Sequence, residues 1–130
     1  MDLLIQGCNV FLSLHRSEGF GFGPAESMAF EKIVISTDYG GTRDFVTPQT
    51  GYPVEYKLIP IKLGQYPYYQ HQLWADPSIE QAAFYLKEVY DNFKISQEKA
   101  KQGRKLIITQ HSFAAVGKKI NSIFIDRGYL

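Results

Sequence analysis

Two carboxylates, Glu18 and Glu26, bracket three alternate glycines in the segment His15-Arg16-Ser17-Glu18-Gly19-Phe20-Gly21-Phe22-Gly23-Pro24-Ala25-Glu26. A pair of carboxylates can act as general acid and base. Glycines at every second position allow a tight turn and a close approach of backbone to ligand. Pro24 suits the first turn of a helix, where its missing N–H costs nothing. A glycine turn that opens a helix leaves N–H groups pointing outward, which makes it an anion site. The predicted site therefore combines hydrogen-bond acceptors with a place for a negatively charged group.

The elements that must hold this loop follow from the apolar pattern. Asn9-Val10-Phe11-Leu12-Ser13-Leu14 predicts a buried strand before the loop, and a short helix at about 23–31 follows it. Ile33-Val34-Ile35-Ser36 predicts a second buried strand, and Asp38-Tyr39-Gly40-Gly41-Thr42 a turn. Tyr52, Val54, Tyr56 and Leu58 alternate with polar residues as one half-exposed strand, which Pro53 places at an edge. Residues 62–75 read as a long surface loop. Asp76 and Pro77 read as the cap and first residue of a helix. That helix carries an apolar stripe of Ile79, Ala82, Ala83, Leu86, Val89, Tyr90 and Phe93. A weaker helix is expected over about 96–109. Ser112 caps a last one, with Phe113, Val116, Ile120, Ile123 and Phe124 facing inward. Ahead of all these, Leu3, Leu4 and Ile5 form a helix end stopped by Gly7. The expected class is α/β, with a mostly parallel sheet and flanking helices.

Composition narrows the possible partners. The 130 residues are 45% hydrophobic and 21% charged, which describes one globular domain. A net charge of +1 without a basic run argues against nucleic acid. The lone Cys8 forms no internal disulfide or cysteine zinc site and suits a reducing cytoplasm. His71 and His111 lack metal-ligand spacing, so no metal is expected. No apolar stretch reaches the roughly 18 residues of a membrane span, and no signal peptide reads at the start.

Other functions are open to the same residues. Gly19-Phe20-Gly21 begins a dinucleotide fingerprint, with Asp38 near the place of its acid. Pro24 stands where the third glycine belongs, however, and Glu18 would lie beside the pyrophosphate. That reading, a non-catalytic nucleotide-binding module, is the alternative. A glycoside hydrolase pair ranks third, since no cleft between the carboxylates is evident. On the plainest reading, Glu26 answers the helix dipole and Glu18 is solvated. His15 then packs or hydrogen-bonds at the strand end, Gly40-Gly41 is a bare turn, and Trp74 with the tyrosines of 66–69 packs their own loop.

Glu18-Gly19-Phe20-Gly21 with Glu26 resembles the E-x7-E signature of family 4 retaining glycosyltransferases. The strand Asn9–Leu14 and the stretch Val34–Thr42 resemble that family's next-door elements, with Asn9 where an Asp is usual. Gly51-Tyr52-Pro53-Val54, Trp74-Ala75-Asp76-Pro77 and His111-Ser112 are similar to a bacterial subgroup. The resemblance implies a Rossmann-like domain, the C-terminal half of a two-domain glycosyltransferase B-type fold. Residues 1–130 would be that donor-binding domain, truncated on its N-terminal side. It implies retaining, metal-independent hexosyl transfer from a nucleotide-diphosphate sugar, which is a substrate rather than a cofactor. Glu18 would be catalytic and contact donor-sugar hydroxyls, and Glu26 would take the ribose. Gly19, Phe20, Gly21, Phe22 and Gly23 would meet the sugar and diphosphate. The family's basic diphosphate clamp and its acceptor-binding domain would lie ahead of Met1, leaving the chain alone inactive. The strand at 9–14 would then be an unprotected edge open to self-association. A cytoplasmic enzyme, with peripheral membrane attachment as an option, is implied.

Overall fold

The computed structural model describes residues 2–129. After a short helix α1 (Asp2–Gly7), the apolar run becomes strand β1 (Val10–Ser13). The glycine loop leads into α2 (Phe22–Ala29), and Ile33–Thr37 forms β2. A 3-10 turn (Gly40–Asp44) follows, then β3 (Tyr52–Val54). These three strands make a parallel sheet in the order β1-β2-β3, with Val10 opposite Ile33 and Ile35 opposite Tyr52. The fold is α/β, a three-stranded parallel sheet flanked by helices, as in Rossmann-like domains.

Every residue of β2 is buried, as expected of a strand covered on both faces. Side chains alternate across it. Ile33 and Ile35 join Tyr52, Val54, Ala82, Val89 and Ala100 on one face, while Val34 joins Ala25, Met28, Phe45, Val46 and Ile107 on the other. Helices α3 (Ile79–Asp91) and α4 (Phe93–Leu106) cover the first face. Helix α2 covers the second. β1 stands at an edge, where Leu12 remains 43% exposed.

The middle of the chain departs from its expected course. The alternating run over 52–58 is two strands, not one. β3 belongs to the parallel sheet, and its Pro53 does sit on an edge strand. β4 (Tyr56–Pro60) instead pairs antiparallel with β5 (Leu73–Pro77), Tyr56 opposite Pro77 and Pro60 opposite Leu73. Leu73, Trp74 and Ala75 therefore leave the predicted loop for a strand. Asp76 and Pro77 do not start the helix. Ser78 does, its hydroxyl accepting from the Gln81 amide at 3.2 Å. Arg16 occupies the Asp76 carboxylate, so the best-looking cap is already engaged.

Helix α3 is also turned from its expected face. Ala82 and Val89 are buried and Tyr85 packs beside them, while Tyr90 is 85% exposed and Ile79, Ala83 and Leu86 also face out. The small side chain of Ala82 lets the helix lie close against the sheet. A π turn (Ile107–His111) joins α4 to α5 (Phe113–Asp126). Ser112 caps α5 as expected, accepting from the Ala115 amide at 3.2 Å. The predicted inner face of α5, however, finds nothing to cover it among the described residues: none of its residues is buried and Phe113 is fully exposed.

Candidate functional site

The glycine loop lies beyond the C-terminal end of β1, the end at which open parallel sheets receive ligands. Its shape is dictated from beneath. The Gly41 amide donates to the carbonyl of Gly19 at 2.8 Å. A Cβ on Gly41 would run into that same carbonyl, and one on Gly40 would run into the carbonyl of Glu18. The glycine pair is thus more than a bare turn: its two missing side chains let the loop carrying Glu18 rest directly on the 3-10 turn. Thr42, wholly buried, anchors that turn by donating to the Thr37 carbonyl at 3.0 Å.

Gly21 is the one loop residue whose own backbone demands glycine. Its φ is +92°, and a Cβ there would sit 2.6 Å from the Thr42 methyl. It forms the N-cap of α2, and the first helical hydrogen bond runs from the Ala25 amide to its carbonyl at 3.0 Å. The amides of Phe22 and Gly23 precede that bond and have no intrahelical partner. Pro24 lies in the first turn as expected. Because α2 begins at Phe22, Glu26 is its fifth residue and falls just past the first turn.

Phe20 fixes the loop from the inside. Its ring meets Phe22, Phe45 and His111 at centroid separations of 5.2, 5.3 and 5.7 Å. His111 arrives from the π turn, ninety-one residues further along the chain by subtraction of the two numbers. It serves there as an aromatic wall. His15 also has a structural part, with Nε2 2.8 Å from the Tyr39 carbonyl and Nδ1 3.2 Å from the Ser13 hydroxyl.

The two glutamates differ in setting. Glu18 is half-buried, and its carboxylate accepts from the Gly19 amide at 3.0 Å. Its remaining lone pairs are available. Glu26 is exposed on α2, and its carboxylate has neither hydrogen bond nor ion pair among the described residues. Both carboxylates can therefore accept from hydroxyls, beside unpaired amides that attract negative charge. Among the described residues, no three His, Cys, Asp or Glu side chains gather into a metal-binding group.

Arg16 is the residue whose role spacing alone does not reveal. Its guanidinium donates to the Asp76 carboxylate at 2.8 Å and lies 4.9 Å from the centre of the Trp74 ring. Its carbonyl accepts from the Ala75 amide at 2.9 Å. These contacts fasten the β4–β5 hairpin to the start of the glycine loop. The motif Trp74-Ala75-Asp76-Pro77 carried the only signal for it, as part of a resemblance.

Fold and loop together define a Rossmann-like α/β protein with a glycine turn that opens a helix and is flanked by two carboxylates. The family model described as glycosyl transferases group 1 matches residues 1–57, which hold the glycine loop, both glutamates and all three parallel strands. No curated protein matches the chain. No helix among the described residues is long and apolar enough to cross a membrane.

Proposed function

We propose that this chain is the donor-binding part of a retaining glycosyltransferase of the family 4 type, transferring a hexose from a nucleotide-diphosphate sugar without a metal. The observation that carries the reading is the glycine loop, seated on Gly40 and Gly41 and flanked by Glu18 and Glu26, within the span matched by the group 1 family. In this reading Glu18 accepts from hydroxyls of the donor sugar as charge develops at its anomeric carbon. Glu26 holds the ribose hydroxyls. The amides of Phe22 and Gly23, at the positive end of α2, stabilise the diphosphate as it departs. Polyols lie over the carboxylates and phosphates over the amides, so the two charges do not conflict. The acceptor domain and a cationic diphosphate clamp would come from residues outside these 130, and the complete enzyme would work in the cytoplasm.

Saturation-transfer NMR with UDP-, GDP- and ADP-sugars tests the donor site on the chain itself. Without a clamp, affinity should be in the millimolar range, about −4 kcal/mol. Glu26→Ala removes hydrogen bonds to a charged group worth about 1.5–3 kcal/mol, roughly 10- to 150-fold in affinity, and should abolish the signal. Glu18→Ala should weaken it likewise. A saturation-transfer signal unchanged in both variants would leave Glu26 as an acid answering the helix dipole and Glu18 as a solvated loop residue, and tight binding of NAD would return the site to the dinucleotide reading.

A further inference from the structure

Between the glycine loop and the β4–β5 hairpin lies a cavity of about 540 Å³, within the size range of small-molecule sites. Arg16 and Ser17 form one side of it, and Tyr66, Tyr68, Gln72 and Trp74 contribute to the rest. Tyr68 is 91% exposed, and Tyr68 and His71 both hold positive φ, +54° and +62°, in the hairpin's turn. Side chains other than glycine adopt that backbone at a cost, which surrounding structure must maintain. The indole N–H of Trp74 is buried and finds no acceptor among the described residues. A buried donor left without a partner is uncommon in folded proteins.

We propose that this cavity is a subsite for a neutral saccharide, the sugar unit that lies next to the one held at Glu18. The lining selects for it. The charge of Arg16 is already met by Asp76, and the other residues named are uncharged, so the site offers little to an ionic ligand. Tyrosine and tryptophan rings give apolar surface for the C–H faces of a pyranose. Gln72, Ser17 and the tyrosine hydroxyls supply donors and acceptors for its hydroxyls. Ser17 precedes Glu18, so a ring bound in the cavity sits beside the proposed transfer site. The assignment of ligand class rests on the glycosyltransferase reading, while the cavity itself does not.

Trp74 is the only tryptophan of the chain, so its fluorescence reports the cavity directly. Methyl glycosides of glucose, mannose and galactose, and their disaccharides, are titrated to about 100 mM without nucleotide. At least one should give a saturable change with a Kd of about millimolar order. Tyr68→Ala and Gln72→Ala, both at exposed positions, should each weaken it about 2- to 10-fold while leaving the melting temperature unchanged. Glu26→Ala should leave the saccharide titration as it is while abolishing the nucleotide-sugar signal. A flat titration with every sugar overturns the proposal, even with donor binding intact. So do affinities unchanged from the parent in both cavity variants, or displacement of the saccharide by UDP, GDP or ADP. A saturable titration together with absent donor binding overturns the donor reading and leaves the saccharide site standing.

Discussion

At the scale of single residues, the site is a problem of absent side chains. Gly41 and Gly19 are both glycines of this region, yet the structure separates them sharply. A Cβ on Gly41 would meet the Gly19 carbonyl and lie 2.7 Å from the Phe20 Cα, both backbone atoms that cannot step aside. A Cβ on Gly19 would meet nothing within 4 Å. Gly41→Ala should therefore destabilise by about 1–3 kcal/mol, the range for overpacking, and lift the loop that carries Glu18. Gly19→Ala should stay within about 0.5 kcal/mol of the parent. Urea unfolding of the two variants checks the contrast; equal stabilities would mean that the loop does not depend on the turn beneath it. The strand, glycine turn and helix that carry Glu18 and Glu26 were legible in the sequence because their pattern is local. What Gly40 and Gly41 support was not, since no spacing says which carbonyl will lie above them. The Arg16–Asp76 pair spans sixty residues and is equally silent.

At the scale of elements, legibility followed burial on both faces. Strand β2 read correctly because its apolar run is continuous and buried on both faces; β1 was placed correctly as a strand, but at the sheet edge none of its residues is fully buried, contrary to expectation. The β4–β5 hairpin did not, because its strands are half-exposed and a tyrosine- and glutamine-rich turn hides their alternation. Asp76-Pro77 imitates a helix start, and only the third dimension shows its carboxylate taken. Helix α3 was read with too wide a stripe: the sheet selected Ala82 and Val89 from it and added Tyr85, which the stripe left out. Tyr85 gives this choice a pH signature. Burial, and then the charges of Glu88 and Glu55 and the neighbouring Tyr52, hold its hydroxyl proton above the ordinary value of about 10. The folded state thus keeps a proton that the unfolded state releases. The stabilisation is complete below about pH 10 and declines as pH rises through the folded value. Melting temperatures between about pH 9 and 11 should fall less steeply for Tyr85→Phe than for the parent. Parallel curves would remove Tyr85 from the alkaline response.

At the scale of the whole molecule, apolar surface remains where a core might have been expected. Leu12 lies on the open edge of β1, a strand without the proline or lysine that protects such edges. We propose that two copies of the chain pair through that edge. Sedimentation at high micromolar concentration should show dimers or larger species, and Leu12→Lys should shift them toward monomer. A parent chain that sediments as monomer would refute this. The exposed stripe of α5 was misread for an instructive reason: periodicity reveals an apolar face but not whether the same chain supplies its cover. The packing of α4 has a different kind of consequence. A Cβ on Gly103 would sit 2.6 Å from the Met28 terminal methyl and 2.9 Å from the Thr50 carbonyl, so α4 is seated on α2 with no room to spare. Positions 28 and 103 are therefore coupled, and position 103 is coupled as well to the backbone at Thr50. Gly103→Ala should cost somewhat less in a Met28→Ala background, with a coupling of about 0.5–3 kcal/mol in a double-mutant cycle, while the clash with the Thr50 carbonyl, a backbone atom, keeps the rest of its cost. Strict additivity would show that α2 and α4 are separated by more than the structure allows. Any lineage carrying this fold through a larger residue at 103 would have to shift the backbone at Thr50 as well as the Met28 side chain, and the helix that opens from the glycine loop inherits that constraint.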